Sequence, residues 1–186
     1  MKICTDAVLF GAMAPVNQGD RVLDIGTGTG VLALMATQLG AAKVTAVELT
    51  QEAYQEADIN FKNSPWAKRL EVVHQDIQSF ALTADLQYDL IISNPPYVDA
   101  AAVAALPPEY LHEPQLALGS GKDGLDATRE ILKHAAQHLV PDGILAVEIG
   151  HNRAALEAAF PDLPFTWLDV SAGDEFVFML HKNDLP

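Results

Sequence analysis

The sequence predicts an α/β domain, built on a mostly parallel sheet of seven strands with helices on both faces and closed by an antiparallel hairpin. Three observations carry that expectation. Short apolar runs bounded by turn residues alternate with stretches of helical periodicity, the pattern of a parallel sheet whose crossovers are helices. A glycine-rich turn, Asp24-Ile25-Gly26-Thr27-Gly28-Thr29-Gly30, follows the first run and opens a helix. The last two runs, joined by Ser171-Ala172-Gly173-Asp174, read as a hairpin.

Taken in order, the first strand is expected over 21–25, followed by a helix over 31–39 that Gly40 ends as a C-cap. The second strand is expected over 44–47. Thr50 is placed to N-cap a helix from about 51 to 62, closed by Asn63, Ser64 and Pro65. Strands three and four are expected over 70–74 and 88–93. Residues 98–124 form a long connection containing Pro107, Pro108 and Pro114, and a loop of that length in a compact domain usually has a function. Over 125–139, Leu125, Ile131, Leu132, Ala135 and Leu139 share one broad helical face. Pro141-Asp142-Gly143 then makes a turn into a fifth strand over 144–149. Asn152 is placed to cap a short Ala-rich helix ending near Phe160, where Pro161 stops it. The closing strands are expected over 165–170 and 176–180.

Composition bounds the function. A chain of 186 residues that is 49% apolar supports one core and is too short for two ordinary domains, so 1–186 is expected to fold as one. The lone Cys4, an N-terminus without a signal-peptide pattern, and apolar runs all shorter than a membrane span point to a soluble cytoplasmic protein. The formal charge is −14, and residues 98–186 are the more acidic half. Only Lys62, Lys68 and Arg69 cluster, which argues against unaided RNA or DNA binding. A basic protein partner fits the charge better; a plain solubility role is the alternative. The six histidines lack metal-ligand spacing with nearby acids, and no metal is expected. His134 and His138 read as a solvated helix face, and Trp66 and Trp167 as packing residues.

In the glycine-rich turn, the missing side chains at Gly26, Gly28 and Gly30 allow a ligand close to the backbone, and N–H groups at a helix start favour a carboxylate or phosphate. NAD is one candidate. Two features favour S-adenosylmethionine: Asp24 precedes the first glycine, where it can face a cationic amino acid group, and Asn94-Pro95-Pro96-Tyr97 follows strand four. Glu48, beside Leu49 at the end of strand two, can hold ribose hydroxyls in either case. Asp76 follows strand three, placed to accept from an adenine amino group while Ile77 covers the ring. An isolated Asp there is more often a turn residue, but its company on one rim favours the ligand role. Thr27 of the turn, Leu49 and Asn94 are expected among the cofactor-binding residues, and Thr5 and Asp6 are placed both to cap a first helix and to reach the cofactor's amino acid end.

The tetrapeptide 94–97 is suited to gripping a planar amino group. Pro95 and Pro96 remove two successive N–H donors, so carbonyls here are free to face a guest. The Asn94 side-chain oxygen and the Pro95 carbonyl can each accept one N–H of an amide or arylamine, while Tyr97 lies against the flat group.

The series DIGTGTG, AVELT, HQDIQ and ISNPPY resembles the class I S-adenosylmethionine-dependent methyltransferases, Rossmann-like enzymes that include adenine and glutamine methyltransferases. Residues 1–97 are similar to bacterial tRNA adenine-N6 methyltransferases, on Met1 to Asp6 and Asn63-Ser64-Pro65-Trp66-Ala67. Residues 98–186 resemble HemK-type protein-glutamine methyltransferases, especially the ribosomal-protein branch. Pro107-Pro108-Glu109-Tyr110, His112-Glu113-Pro114, Gly121-Lys122-Asp123-Gly124-Leu125 and Pro164-Phe165-Thr166-Trp167-Leu168 carry that second likeness.

The resemblance implies Asn94, Pro95, Pro96 and Tyr97 as the catalytic motif and makes Glu113 a further substrate contact, with simple loop packing as the alternative for Glu113. It implies S-adenosylmethionine as cofactor and S-adenosylhomocysteine as product. The acceptor it favours is a glutamine amide of a ribosomal protein or release factor; the alternatives are adenine in tRNA, or a minimal cofactor-binding fold with little activity. The split also suggests a composite or engineered chain joined near residue 97. Only about twenty residues precede strand one, so the N-terminal recognition domain of HemK-type enzymes is expected to be absent.

Overall fold

The computed structural model describes residues 5–83, 87–98, 120–168 and 176–186. Seven strands are present: β1 (Arg21–Ile25), β2 (Lys43–Glu48), β3 (Leu70–His74), β4 (Tyr88–Ser93), β5 (Leu139–Glu148), β6 (Thr166–Trp167) and β7 (Val177–His181). They form one sheet in the order β3-β2-β1-β4-β5-β7-β6. The first five pair in parallel, and β7 is antiparallel to both β5 and β6. The helices are α1 (Thr5–Met13), α2 (Val31–Leu39), α3 (Gln51–Asn63), α4 (Ile77–Thr83), α5 (Asp126–His138) and α6 (Arg153–Ala159).

Parallel strands covered on both faces read as near-continuous apolar runs, because both side-chain directions are buried. Alternation along each strand then sorts the core into two layers. Val22, Val44, Leu90, Ile92 and Ala146 pack with Phe10 of α1, Ala33 and Ala36 of α2 and Phe61 of α3. Leu23, Ile91, Leu145 and Val147 face Phe80 of α4, Ile131 and Leu132 of α5 and Leu156 of α6. The closing strands join the second layer through Phe178, whose ring meets Phe165 edge-on at 5.1 Å and Trp167 at 6.0 Å.

Several local expectations are corrected. Thr50 precedes α3 but its hydroxyl does not cap the helix; it donates to Glu48 Oε1 at 2.9 Å. Asn152 likewise gives α6 no side-chain cap. Pro141-Asp142-Gly143 lies inside β5, which begins at Leu139. The register slips between Tyr88↔Leu139 and Leu90↔Ile144, and Asp142 takes a left-handed φ of 65°, so the turn signal is spent on a bulge in a continuing strand. That pairing also stops α5 at His138, and the helix begins at Asp126 because Leu125 is not helical. The sequence reading assigned no helix between β3 and β4. Asp76 starts α4 there, its carboxylate accepting from the Gln78 N–H and the Ser79 hydroxyl, each at 3.4 Å. Gly40 ends α2 as expected, with φ 130° and its N–H directed to the Ala36 and Thr37 carbonyls.

Phe178→Ala should cost about 3–5 kcal/mol, because it empties a fully buried ring position shared by the sheet and the closing hairpin. Urea denaturation checks this; a loss under about 1 kcal/mol would mean the hairpin is not packed as described.

Candidate active site

The carboxyl ends of β1, β4 and β5 open on one edge because the three strands are parallel and in step. Asp24 pairs with Ile92, Ile25 with Ser93, and Ser93 with Val147. Asn94 and Glu148 are thus the next residues on adjacent strands. The Ser93 hydroxyl donates to the Ile25 carbonyl at 2.9 Å and ties β4 to β1 at this edge. Alternation puts Asp24 and Glu148 on the face that carries Val22 and Ala146, the face covered by α1. Thr5 and Asp6 stand exposed at the start of α1.

The glycine-rich turn is braced on all sides. Gly26 and Thr27 donate their N–H groups to the Val47 carbonyl, and Asn60 of α3 donates to the Thr29 carbonyl at 2.9 Å. Gly28 donates to Glu48 Oε2 at 2.9 Å, while Glu48 Oε1 accepts from the Thr50 backbone N–H. Both oxygens of Glu48 therefore hold protein donors. A carboxylate has about four acceptor positions; Oε1 also takes the Thr50 hydroxyl, so the remaining capacity for a hydroxyl is on Oε2.

The glycines serve different ends. Gly26, at φ 69°, is exposed, and a Cβ built there meets nothing within 4 Å. A ligand can approach it. Gly30, at φ 85°, lies beneath Phe61, which a Cβ would overlap. Its missing side chain makes room for α3, which corrects the expectation that it opens space for a ligand.

Asp24 is fully buried. Its Oδ2 accepts from the Thr27 hydroxyl at 2.5 Å, and among the described residues Oδ1 has no partner at hydrogen-bonding distance. Burial pushes its carboxyl up to about 7; the Thr27 hydroxyl and the Ala33 backbone N–H of α2 offset part of that. Glu148 is 0% exposed with neither oxygen partnered among the described residues. Burial and, secondarily, the charge of Asp6 push it up to about 8.

Glu148 escaped the sequence reading. Its signal was an acid closing the otherwise apolar run Ile144 to Val147, as Asp24 interrupts β1 and Glu48 closes β2.

At the β2 and β3 ends, Leu49 is 53% exposed beside Glu48, and Ile77 is half-buried after Asp76. Two apolar side chains thus accompany two acids. Asp76 caps α4, so the plain reading of this residue is realised; its long 3.4 Å contacts leave the carboxylate acceptor capacity.

In the 94–97 turn, Pro95 is buried and Asn94, Pro96 and Tyr97 are half-buried. The Tyr97 carbonyl accepts from Asn152 Nδ2 at 2.6 Å. Its ring lies over Gly150, where a Cβ would come within 2.6 Å of Cε2, and its carbonyl crowds Gly124. Gly124, Gly150 and Asn152 therefore clamp the turn from two loops. Sequence reasoning missed all three in this role. Beyond the turn, the Val98 carbonyl accepts from Ser120 N–H at 3.0 Å, so Ser120 lies at the same edge. Glu113 lies outside the described residues.

Among the described residues no three His, Cys, Asp or Glu side chains cluster as metal ligands, and no helix is long and apolar enough to cross a membrane. A shallow depression lined by Arg21, Lys43, Thr45, Gln87 and Tyr88 lies at the opposite, amino-terminal end of the sheet, away from the glycine-rich turn.

The family model described as "methyltransferase small domain" matches residues 5–121. The chain belongs to the methyltransferase small domain family. Among relatives, it is 54% identical over 166 residues to the ribosomal protein uL3 glutamine methyltransferase of Neisseria gonorrhoeae, covering 89% of this chain and 54% of the relative. The protein of the same name from Burkholderia pseudomallei is 44% identical over 171 residues, covering 89% and 56%. The chain thus spans about half the length of the curated relatives it matches. A methyltransferase from Pyrococcus furiosus shares the fold, with a TM-score of 0.68 at 22% identity over 95% of this chain and 82% of that one.

The residues at this edge fit S-adenosylmethionine, the cofactor expected from the sequence. Asp24 has an unpartnered buried oxygen that could accept from an ammonium, Gly26 leaves an open approach, Glu48 keeps one acceptor position that could take a hydroxyl, and Leu49 and Ile77 offer apolar surface beside Asp76.

The raised carboxyls set a pH dependence. Asp24 and Glu148 keep protons in the folded state that the unfolded chain releases above about 4, so folding binds protons between there and pH 7–8. Stability is therefore fullest below that window and falls as pH rises through it, by up to about 1.4 kcal/mol per pH unit for each group. Glu148→Gln should match the parent's melting temperature near pH 5 and exceed it near pH 8.5; a gain independent of pH would contradict the assignment. Gly30→Ala should cost at least about 2 kcal/mol in chemical denaturation, from the positive φ and the overlap with Phe61. Gly26→Ala, strained but unobstructed, should cost less stability than Gly30→Ala.

Proposed function

We propose that this domain transfers a methyl group from S-adenosylmethionine to a glutamine side-chain amide of a protein, with a ribosomal protein the favoured substrate and a release factor the next. The observation that carries the reading is the clamped Asn94-Pro95-Pro96-Tyr97 turn at the end of β4, beside the acidic, glycine-lined end of β1. The relatives named for uL3 glutamine methylation support the choice of acceptor.

When bound, the cofactor supplies an electrophilic methyl carbon. The chain's residues act mainly by positioning. An amide nitrogen is a poor nucleophile because its lone pair is delocalised. The Asn94 side-chain oxygen and the Pro95 carbonyl accept the two N–H groups and turn the nitrogen toward the methyl. The same oxygens stabilise positive charge developing on nitrogen. Tyr97, with its carbonyl held by Asn152 and its ring against Gly150, fixes the plane of the amide. Nitrogen gains a methyl group and loses one proton to water, so no general base is needed for attack. S-adenosylhomocysteine is the other product.

The same turn suits the 6-amino group of adenine, so methylation of tRNA is the second reading. A formal charge of −14 weighs against it, since phosphate binding draws on Lys and Arg. A cofactor-binding fold with little activity is the third. A composite origin joined near residue 97 gains no support from the relatives, because a match covering 89% of the chain necessarily crosses that point. Action on a ribosomal protein would fit a cytoplasmic setting.

Methyl transfer from radiolabelled cofactor, offered separately to uL3, release factor and bulk tRNA, distinguishes these readings. Label in uL3 is expected; label in tRNA alone would overturn the choice of acceptor, and label nowhere would favour the third reading. Asn94→Ala should lower transfer by about 100-fold or more while leaving cofactor affinity within about twofold. Unchanged turnover would remove the amino-gripping role. Asp24→Ala should instead weaken cofactor binding.

A further inference from the structure

Glu148 has no part in the methyl-transfer steps, yet it is buried with both carboxyl oxygens unpartnered among the described residues. It follows Val147, the partner of Ser93, so it ends β5 directly beside Asn94 at the end of β4. Asp24 closes the same face one strand to the other side, and Asp6 approaches from α1 closely enough for its charge to act on Glu148.

A buried carboxyl needs a donor, a cation or a proton. The ion pairs of the described residues use other acids: Asp58, Glu71, Asp89, Asp123, Asp126, Glu130 and Glu157. Carboxyls from α1, β1 and β5 face one edge, and a cation bound there favours the ionised form of the two buried acids and pairs with it. The acceptor amide is neutral. The donor carries two positive centres, an ammonium and a sulfonium, and the sulfonium charge vanishes when the methyl leaves. Since that methyl must reach a nitrogen held by Asn94, the charge bearing it lies at the β4 end, between the flanking acids.

We propose that Glu148 is a binding residue for the positive charge of the methyl donor, and that it makes the site prefer the charged donor over the uncharged-sulfur product. Asp24 serves the amino acid group, which donor and product share, whereas Glu148 responds to the group that changes. Loss of that charge on transfer weakens the product's hold and favours its exchange for fresh donor. The proposal rests on the reading of this edge as a S-adenosylmethionine site.

Calorimetric titration of the whole chain with S-adenosylmethionine and, separately, S-adenosylhomocysteine tests it. For Glu148→Gln, donor affinity should fall about tenfold while product affinity changes less than about twofold. Glu148→Asp, which keeps the charge, should retain part of the donor preference and guards against a Gln variant that fails to fold. Equal losses for both ligands would make Glu148 a packing residue and overturn the proposal, as would unchanged affinities. Failure of the wild-type chain to bind either ligand would instead overturn the methyl-donor reading, and this inference with it.

Discussion

The parallel register of β1, β4 and β5 is the constraint on which the site depends. Parallel strands deliver all their carboxyl ends to one edge, and right-handed helical crossovers leave that edge open between their loops. Asp24, Asn94 and Glu148 come together because Ile25 pairs with Ser93 and Ser93 with Val147. A shift of one residue in either pairing would move a side chain to the opposite face of the sheet. The Ser93 hydroxyl on the Ile25 carbonyl reinforces this register where the ladder ends.

Electrostatics at the edge works against folding. Asp24 and Glu148 are buried acids with raised pKa values, and the chain gains nothing structural from leaving three of their four oxygens unpartnered. Such conflicts between local stability and burial concentrate at functional sites. Glu48 shows the contrasting solution. Its oxygens accept from Gly28 and Thr50, so it holds the glycine-rich turn to the start of α3 while keeping acceptor capacity. The Asn152–Tyr97 contact does the equivalent work at the end of β4, securing a turn whose two prolines contribute no N–H groups.

Much of this was legible in the sequence. Strand periodicity located β1, β3 and β4, and the spacing of Asp24, Glu48, Asp76 and Asn94 at strand ends located the rim. What escaped depends on tertiary partners. Pro141-Asp142-Gly143 carries a turn signal that the sheet converts into a bulge, because β4 continues alongside. Asn152 has the composition of a helix cap, but its amide reaches a carbonyl 55 residues earlier. Gly30 belongs to a ligand-binding pattern, and only the fold reveals that Phe61 fills the space above it. Glu148 is an acid in an apolar run, and its proximity to Asn94 follows from pairing β5 with β4 and not with another strand.

In the proposed function, cofactor and acceptor meet at the open carboxyl edge. Amide chemical-shift mapping on adding S-adenosylmethionine tests it most directly. Shifts are expected to concentrate at 24–30, 48–49, 76–77, 94 and 148–150, with the depression around Arg21 and Lys43 undisturbed. Shifts confined to that opposite end, or absent at saturating ligand, would contradict it.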